Sequence, residues 1–170
     1  MTGKQRWTTA QPWLSLIVRL GMAGIMIAGA VPKLQDLPAS VRAVRAYRLL
    51  PEMFVPLVGN LLPILELLLA LFLLVGLFTR LASVVWLVMM AAFTIGVIWV
   101  WVKGYSIDCG CFGGGGDVEA GTVNYPLHLL ERSGFVVLGA YLLVYSRSKF
   151  SLDGWMKPTA SVAASTTEGS

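Results

Sequence analysis

Apolar residues run along this chain in four long blocks separated by short polar stretches, at 13–31, 55–78, 81–102 and 126–145. Each block approaches or exceeds the ~20 residues that a helix rising 1.5 Å per residue needs to cross the ~30 Å hydrocarbon core of a bilayer. Trp13, Trp99, Trp101, Tyr141 and Tyr145 lie near block ends, where interfacial aromatics belong. Thr79 and Arg80 alone separate the second and third blocks, so the spacing predicts a tight antiparallel hairpin.

The segment 38–50 has a different pattern. On a helix of 3.6 residues per turn, Arg42, Arg45 and Arg48 share one arc, and Ala43, Val44, Ala46, Tyr47 and Leu50 share the opposite one. A short helix in the membrane interface, its arginines against anionic headgroups, fits this pattern. So does a solvated helix packed on the end of a bundle. The elements together predict an all-α fold: an integral membrane four-helix bundle with a short interfacial helix between spans one and two. Residues 1–12 form an N-terminal tail, and 147–170, rich in Ser, Thr, Ala and Gly, are expected to be disordered.

Composition strengthens this picture. Of 170 residues 56% are hydrophobic and 13% charged, about half the charged share of a soluble domain. So few charges could not cover a water-facing surface, and the excess apolar side chains need lipid as their solvent. The net charge of +4 does not point to nucleic acid, because the basic residues form no long run. They sit at the edges of the apolar blocks, where they would meet lipid headgroups. Lys4 and Arg6 ahead of the first block, with Ala28-Gly29-Ala30 near its end, also resemble a signal peptide. The block is long for that role and is interrupted by Arg19.

With four spans, both termini share a side with the Thr79-Arg80 turn, and basic residues are nearly balanced across the membrane. The balance tips if Arg42, Arg45 and Arg48 are bound at the membrane surface. The loop before the fourth span then carries Lys103 against Asp108, Asp117 and Glu119. This predicts cytoplasmic termini and an outer loop.

That loop holds the sharpest chemical feature, Asp108-Cys109-Gly110-Cys111-Phe112-Gly113, followed by Gly114, Gly115 and Gly116. Two thiols one glycine apart can close into a small, strained ring, and strain makes a disulfide easier to reduce. Outside the cytoplasm the pair would sit in an oxidising compartment. Cys109 and Cys111 are therefore candidate redox residues, and the glycines would let the loop move towards a partner. A static disulfide that shapes the loop is the plain alternative. A metal site is the third, with His128 as the obvious further ligand.

Ionisable residues within the spans are expensive and are functional candidates. Glu66 lies ~16 Å into the second span, and Arg19 ~9 Å into the first from the opposite side. His128, Glu131 and Arg132 occupy the first two turns of the fourth span, with His128 and Arg132 four apart on one face. Glu66 could simply neutralise Arg19 or Arg132. Alternatively Glu66, His128 and Arg132 form a polar pocket under the cysteine loop that binds a quinone or passes protons. Histidine, whose ordinary titration falls near neutral pH, is the natural proton donor there. Lys33 ends the first span and is expected to snorkel to the membrane surface, alongside Arg42, Arg45 and Arg48. No phosphate-binding glycine loop, Ser-His-Asp set or zinc-protease helix occurs.

From about Trp13 to Tyr145 the chain resembles the MauE/DoxX group of small four-helix bacterial membrane proteins. The resemblance rests on the Gly-rich first span ending at Lys33, on Pro63 with Glu66, and on Asp108-Cys109-Gly110-Cys111-Phe112-Gly113. It implies a multi-pass protein of the bacterial plasma membrane that supports extracytoplasmic thiol–disulfide chemistry. The group's MauE is associated with maturation of the disulfide-rich small subunit of methylamine dehydrogenase, and DoxX relatives with quinone-coupled sulfur oxidation. The expected partners beyond the bilayer are a thioredoxin-like protein or a disulfide-rich client. The expected acceptor is a quinone. A non-catalytic assembly subunit and a metal-handling membrane protein are the rival functions.

Overall fold

The computed structural model describes residues 3–110, 113–119 and 121–145, with side chains from Ala10 onward. The tail at 147–170 and the thiol of Cys111 lie outside the described residues. Helix α1 (Gly3–Gln35) is followed by a short α2 (Leu37–Ala46), then by α3 (Val55–Val75) and α4 (Thr79–Val102). A two-residue ribbon, β1 (Ile107–Asp108) antiparallel to β2 (Gly116–Asp117), precedes the last helix, α5 (Tyr125–Val144). Four helices, α1, α3, α4 and α5, are long and apolar enough to cross a membrane. Their outward side chains, such as Ile17, Leu61, Val88 and Leu130, stay exposed, as a lipid-facing surface requires.

Helix α1 runs further than its apolar block at both ends, and it begins at Gly3, within the stretch expected to be an N-terminal tail. Pro32 lies inside it, and the helix continues until the Asp36 N–H donates to the Pro32 carbonyl at 3.1 Å. There Asp36 turns the chain by capping α2, its carboxylate accepting from the Ala39 N–H at 2.9 Å. Ser15, Arg19, Met22, Met26, Ala30 and Lys33 are all buried, recurring every three or four residues as one helical stripe. Because Met22, Ala23, Met26 and Ala30 are core residues, α1 is a structural part of the bundle.

Two further boundaries move, each for a local reason. The turn between the second and third spans is not Thr79-Arg80, which already belong to α4. Gly76 ends α3 in the left-handed conformation (φ 71°), and the N–H groups of Gly76 and Leu77 both donate to the Phe72 carbonyl. The arginine-bearing helix stops at Ala46 instead of reaching Leu50. Arg48 takes φ 52°, and the Leu50-Pro51 step disfavours helix at Leu50.

The helices pair as α1 with α3 and α4 with α5, joined by contact between α1 and α5. Although α3 and α4 are consecutive, they meet at few positions. At the α4–α5 contact Trp86 is fully buried. Its indole N–H donates to the Phe135 carbonyl at 3.0 Å, and Gly139 supplies the space for its ring, since a Cβ there would lie 2.6 Å from Trp86 Cδ1.

Helix α2 lies across one end of the bundle. Its Ser40 hydroxyl donates to the Gly59 carbonyl at 2.7 Å, and a Cβ on Gly59 would strike Val41. Ala39, Ala43 and Ala46 face inward while the arginines face out. The cysteine loop docks on this helix. A Cβ on Gly110 would lie 2.7 Å from Ala43 Cβ, and one on Gly113 would lie 2.6 Å from Pro32 Cβ. The glycines therefore serve close packing as well as backbone freedom. Gly115, at φ 97° and also against Ala43, combines both demands. Gly115→Val should destabilise the docked loop by ~1–3 kcal/mol from backbone strain. Limited proteolysis should then cut the 103–124 segment faster than in wild type, and an unchanged cleavage rate would show that the loop is not held by this contact.

Candidate functional site

The central contact joins α1 to α3. Lys33 Nζ donates to both carboxylate oxygens of Glu66, at 2.7 and 3.0 Å, and both side chains are about 95% buried. Lys33 is thus not a membrane-surface residue. It lies on the same inward stripe as Met26 and Ala30, and because α1 continues past Pro32, its ammonium points into the bundle. Glu66 is paired with neither Arg19 nor Arg132. Arg19 is buried, but it precedes Lys33 by fourteen residues, about 21 Å along the helix axis. Two buried charges are tolerable here only because each supplies the other's counter-charge at hydrogen-bond distance.

Above the pair is a cavity of about 90 Å³. Lys33, Glu66, Cys109, His128, Glu131 and Arg132 all contribute to its lining. Every redox or polar-pocket candidate within the described residues therefore reaches one space. The helix spacing delivers His128 and Arg132 from successive turns of α5, and Arg132 is buried with its guanidinium 5.8 Å from the centre of the Phe93 ring. His128 is half-buried, its Nδ1 4.0 Å from Glu131. Cys109 enters from the loop, which Tyr47 anchors by donating its hydroxyl to the Cys109 carbonyl at 3.3 Å. The Gly110 N–H donates to Asp108 Oδ1 at 3.2 Å and closes the turn beside it. The remaining wall is apolar and aromatic, with Met26, Trp86, Met90, Phe93 and Phe135.

A family model described as Methylamine utilisation protein MauE matches residues 11–145. The chain belongs to the MauE family. Neither a curated protein nor a solved structure was found to match it. The stretch matched to MauE contains every residue that lines the cavity. What this MauE chain places there is a thiol, an imidazole, two cations and two carboxylates in a largely apolar chamber. Such a chamber can hold a small polar group, stabilise negative charge developing on it, and exchange protons with it.

The three α2-side arginines lie outside this MauE cavity, and each meets a carboxylate. Arg42 is 3.6 Å from Asp36, and Arg48 is 3.6 Å from Asp117 with its guanidinium 4.5 Å from the centre of the Tyr105 ring. Arg45 Nε donates to Glu52 at 2.9 Å, and this hydrogen bond holds the Glu52 carboxyl below the usual carboxylate range. They remain about half exposed and tie α2 to its neighbouring loops.

The sequence pattern places Lys33 at the membrane surface instead of in this site, and it does not single out the walls formed by Trp86, Phe93 and Phe135. The signal for Lys33 was present, because it continues the Met22, Met26, Ala30 spacing. Among the described residues no group of three or more His, Cys, Asp and Glu side chains is placed to hold a metal. Replacing one member of the ion pair, by Lys33→Met or Glu66→Leu, should cost ~3–5 kcal/mol by stranding a buried charge, whereas the double replacement should be nearly neutral. Thermal unfolding of the purified proteins in detergent checks this. Additive losses would show that the two charges act independently.

Proposed function

We propose that this membrane protein serves methylamine utilisation by thiol–disulfide chemistry, with Cys109 and Cys111 as the exchanging pair and the charged cavity as the place where electrons leave it. The observation that supports this most is the convergence of Cys109 with Lys33, Glu66, His128 and Arg132 on one chamber. Membrane position and the tie to methylamine utilisation come with the family. The redox role is our reading. The cysteine loop is read as facing outside the plasma membrane of a bacterium, where a thioredoxin-like protein or a disulfide-rich client can meet it.

The exchange balances as follows. A client dithiol attacks the Cys109–Cys111 disulfide through a mixed disulfide and leaves oxidised, giving its two electrons and two protons to the pair. The pair closes again by passing two electrons and two protons to a lipid-soluble acceptor of the quinone class, which leaves as the quinol. Within the chamber, Lys33 and Arg132 would hold negative charge developing on acceptor oxygens. His128, half-exposed at the cavity, would deliver protons. Glu66 would keep Lys33 charged and aimed.

A second reading draws on the docking of the loop. Gly110 and Gly115 are packed against Ala43, and Tyr47 holds the Cys109 carbonyl, as a fixed assembly surface would require. The two readings separate by alkylation trapping in cells, followed by mass spectrometry, with respiration running and then blocked. Cycling predicts that the pair shifts towards dithiol when respiration is blocked. It also predicts that Cys109→Ser or Cys111→Ser abolishes turnover, and that the remaining thiol is trapped in a mixed disulfide. A pair that keeps one redox state in both conditions would favour the scaffold. In the cycling reading, the Lys33→Met/Glu66→Leu double variant stays folded yet stops cycling.

A further inference from the structure

The charged cavity is small. At about 90 Å³ it falls well below the ~300–1,000 Å³ of sites that enclose a whole small molecule. Next to it is a larger cavity of about 270 Å³ that the proposed chemistry leaves unused. This crevice lies where α3 and α4 stand apart. Val58 and Leu62 line it from α3, Met89 and Ala92 from α4, and Leu49 and Leu50 from the chain between α2 and α3. Tyr47 carries the one hydroxyl among its lining residues, and that hydroxyl is engaged with the Cys109 carbonyl. Gly96 makes room for the Tyr47 ring, because a Cβ there would lie 3.0 Å from it.

The two spaces are neighbours. Phe93 lines both of them. Tyr47 and Leu62 also line a cavity of about 30 Å³ that reaches Lys33 and Cys109. Little more than the thickness of these side chains separates charge from hydrocarbon.

We infer that the crevice takes the hydrocarbon tail of a lipid-soluble amphiphile whose small, oxygen-bearing head occupies the charged cavity, with Phe93 at the junction. Water gains little in a crevice with almost no free hydrogen-bonding group. Leu49 and Leu50 at its border are themselves about half exposed, so lipid chains are the solvent at hand. At the other end, the Lys33 and Arg132 cations favour acceptor oxygens in the head, while Glu66, Glu131 and His128 beside them can exchange protons with it. A water-soluble ligand would fill the first space and leave the second without an occupant. Acceptor oxygens on a hydrocarbon tail describe both a quinone and an acyl lipid. The inference rests on the charged cavity being the ligand site proposed above.

The test uses the full chain in lipid nanodiscs and three probes: a decyl-tailed benzoquinone with a diazirine at the tail end, a tail-less benzoquinone, and a diazirine fatty acid. Photolysis and peptide mass spectrometry should place the tailed quinone's adducts on Leu62, Met89 or Ala92. Ala92→Phe, which fills the crevice from an exposed position, should weaken the tailed quinone about tenfold, equivalent to losing about two buried methylenes, and spare the tail-less one. Crevice adducts of the fatty acid that the tailed quinone fails to displace would assign the head to an acyl lipid. Displacement by the tailed quinone would assign it to a quinone. Adducts of both tailed probes scattered over the outer surface, or equal weakening of tailed and tail-less quinones by Ala92→Phe, would overturn the tail assignment while leaving the charged cavity intact. His128→Phe, which crowds that cavity, should weaken both quinones. Unchanged binding of both would overturn the charged cavity as the head site, and the proposed acceptor chemistry with it.

Discussion

The Lys33–Glu66 pair is the contact on which the arrangement of the loop end depends. It crosses between α1 and α3, the most extensively packed helices of the bundle, and is closed to solvent. Two ions at that depth are held there only by each other, so the separation and rotation of both helices are constrained at once. Fixing Lys33 fixes the last turn of α1. That in turn sets where Pro32 presents its ring to Gly113 and where Asp36 starts α2. The floor of the charged cavity and the platform for the cysteine loop thus share one anchor.

Above that anchor, close approach does the positioning. The loop carries few side chains able to pack, and glycines let its backbone lie on Ala43 and Pro32 without intervening Cβ atoms. The β1–β2 ribbon gives it a hydrogen-bonded base. Tyr125 adds a strut, donating to the Tyr105 carbonyl at 2.6 Å and accepting from the Ile107 N–H at 3.2 Å. Cys109 consequently borders the chamber from above while α5 brings His128 and Arg132 to it from the side. The splay of α3 from α4 leaves an apolar crevice beside a charged one, so the bundle offers two solvents within a few side chains of each other.

The sequence by itself determined the class of the protein and most of its parts. Four apolar blocks of this length are satisfied as membrane helices, because lipid tails offer no hydrogen bonds and a helix bonds its backbone groups within the segment. Blocks of this strength announce themselves by length alone, but their ends missed at the left-handed Gly76, at Pro32, where the helix runs past proline, and at the first block, whose helix begins at Gly3. The i, i+4 spacing of His128 and Arg132 correctly put both on one face, since helical period is local. What only the tertiary structure decided is which buried charge meets which. The sequence offered Arg19 and Arg132 as partners of Glu66, 47 and 66 residues away, whereas the fold pairs it with Lys33, 33 residues away. That choice follows from the rotation of α1 against α3 and from the roughly 6 Å of helix beyond the apolar block, quantities that no local pattern carries. The charged cavity, its apolar neighbour and the Phe93 ring between them exist for the same reason, because a space is made by surfaces distant in sequence and belongs to none of them singly.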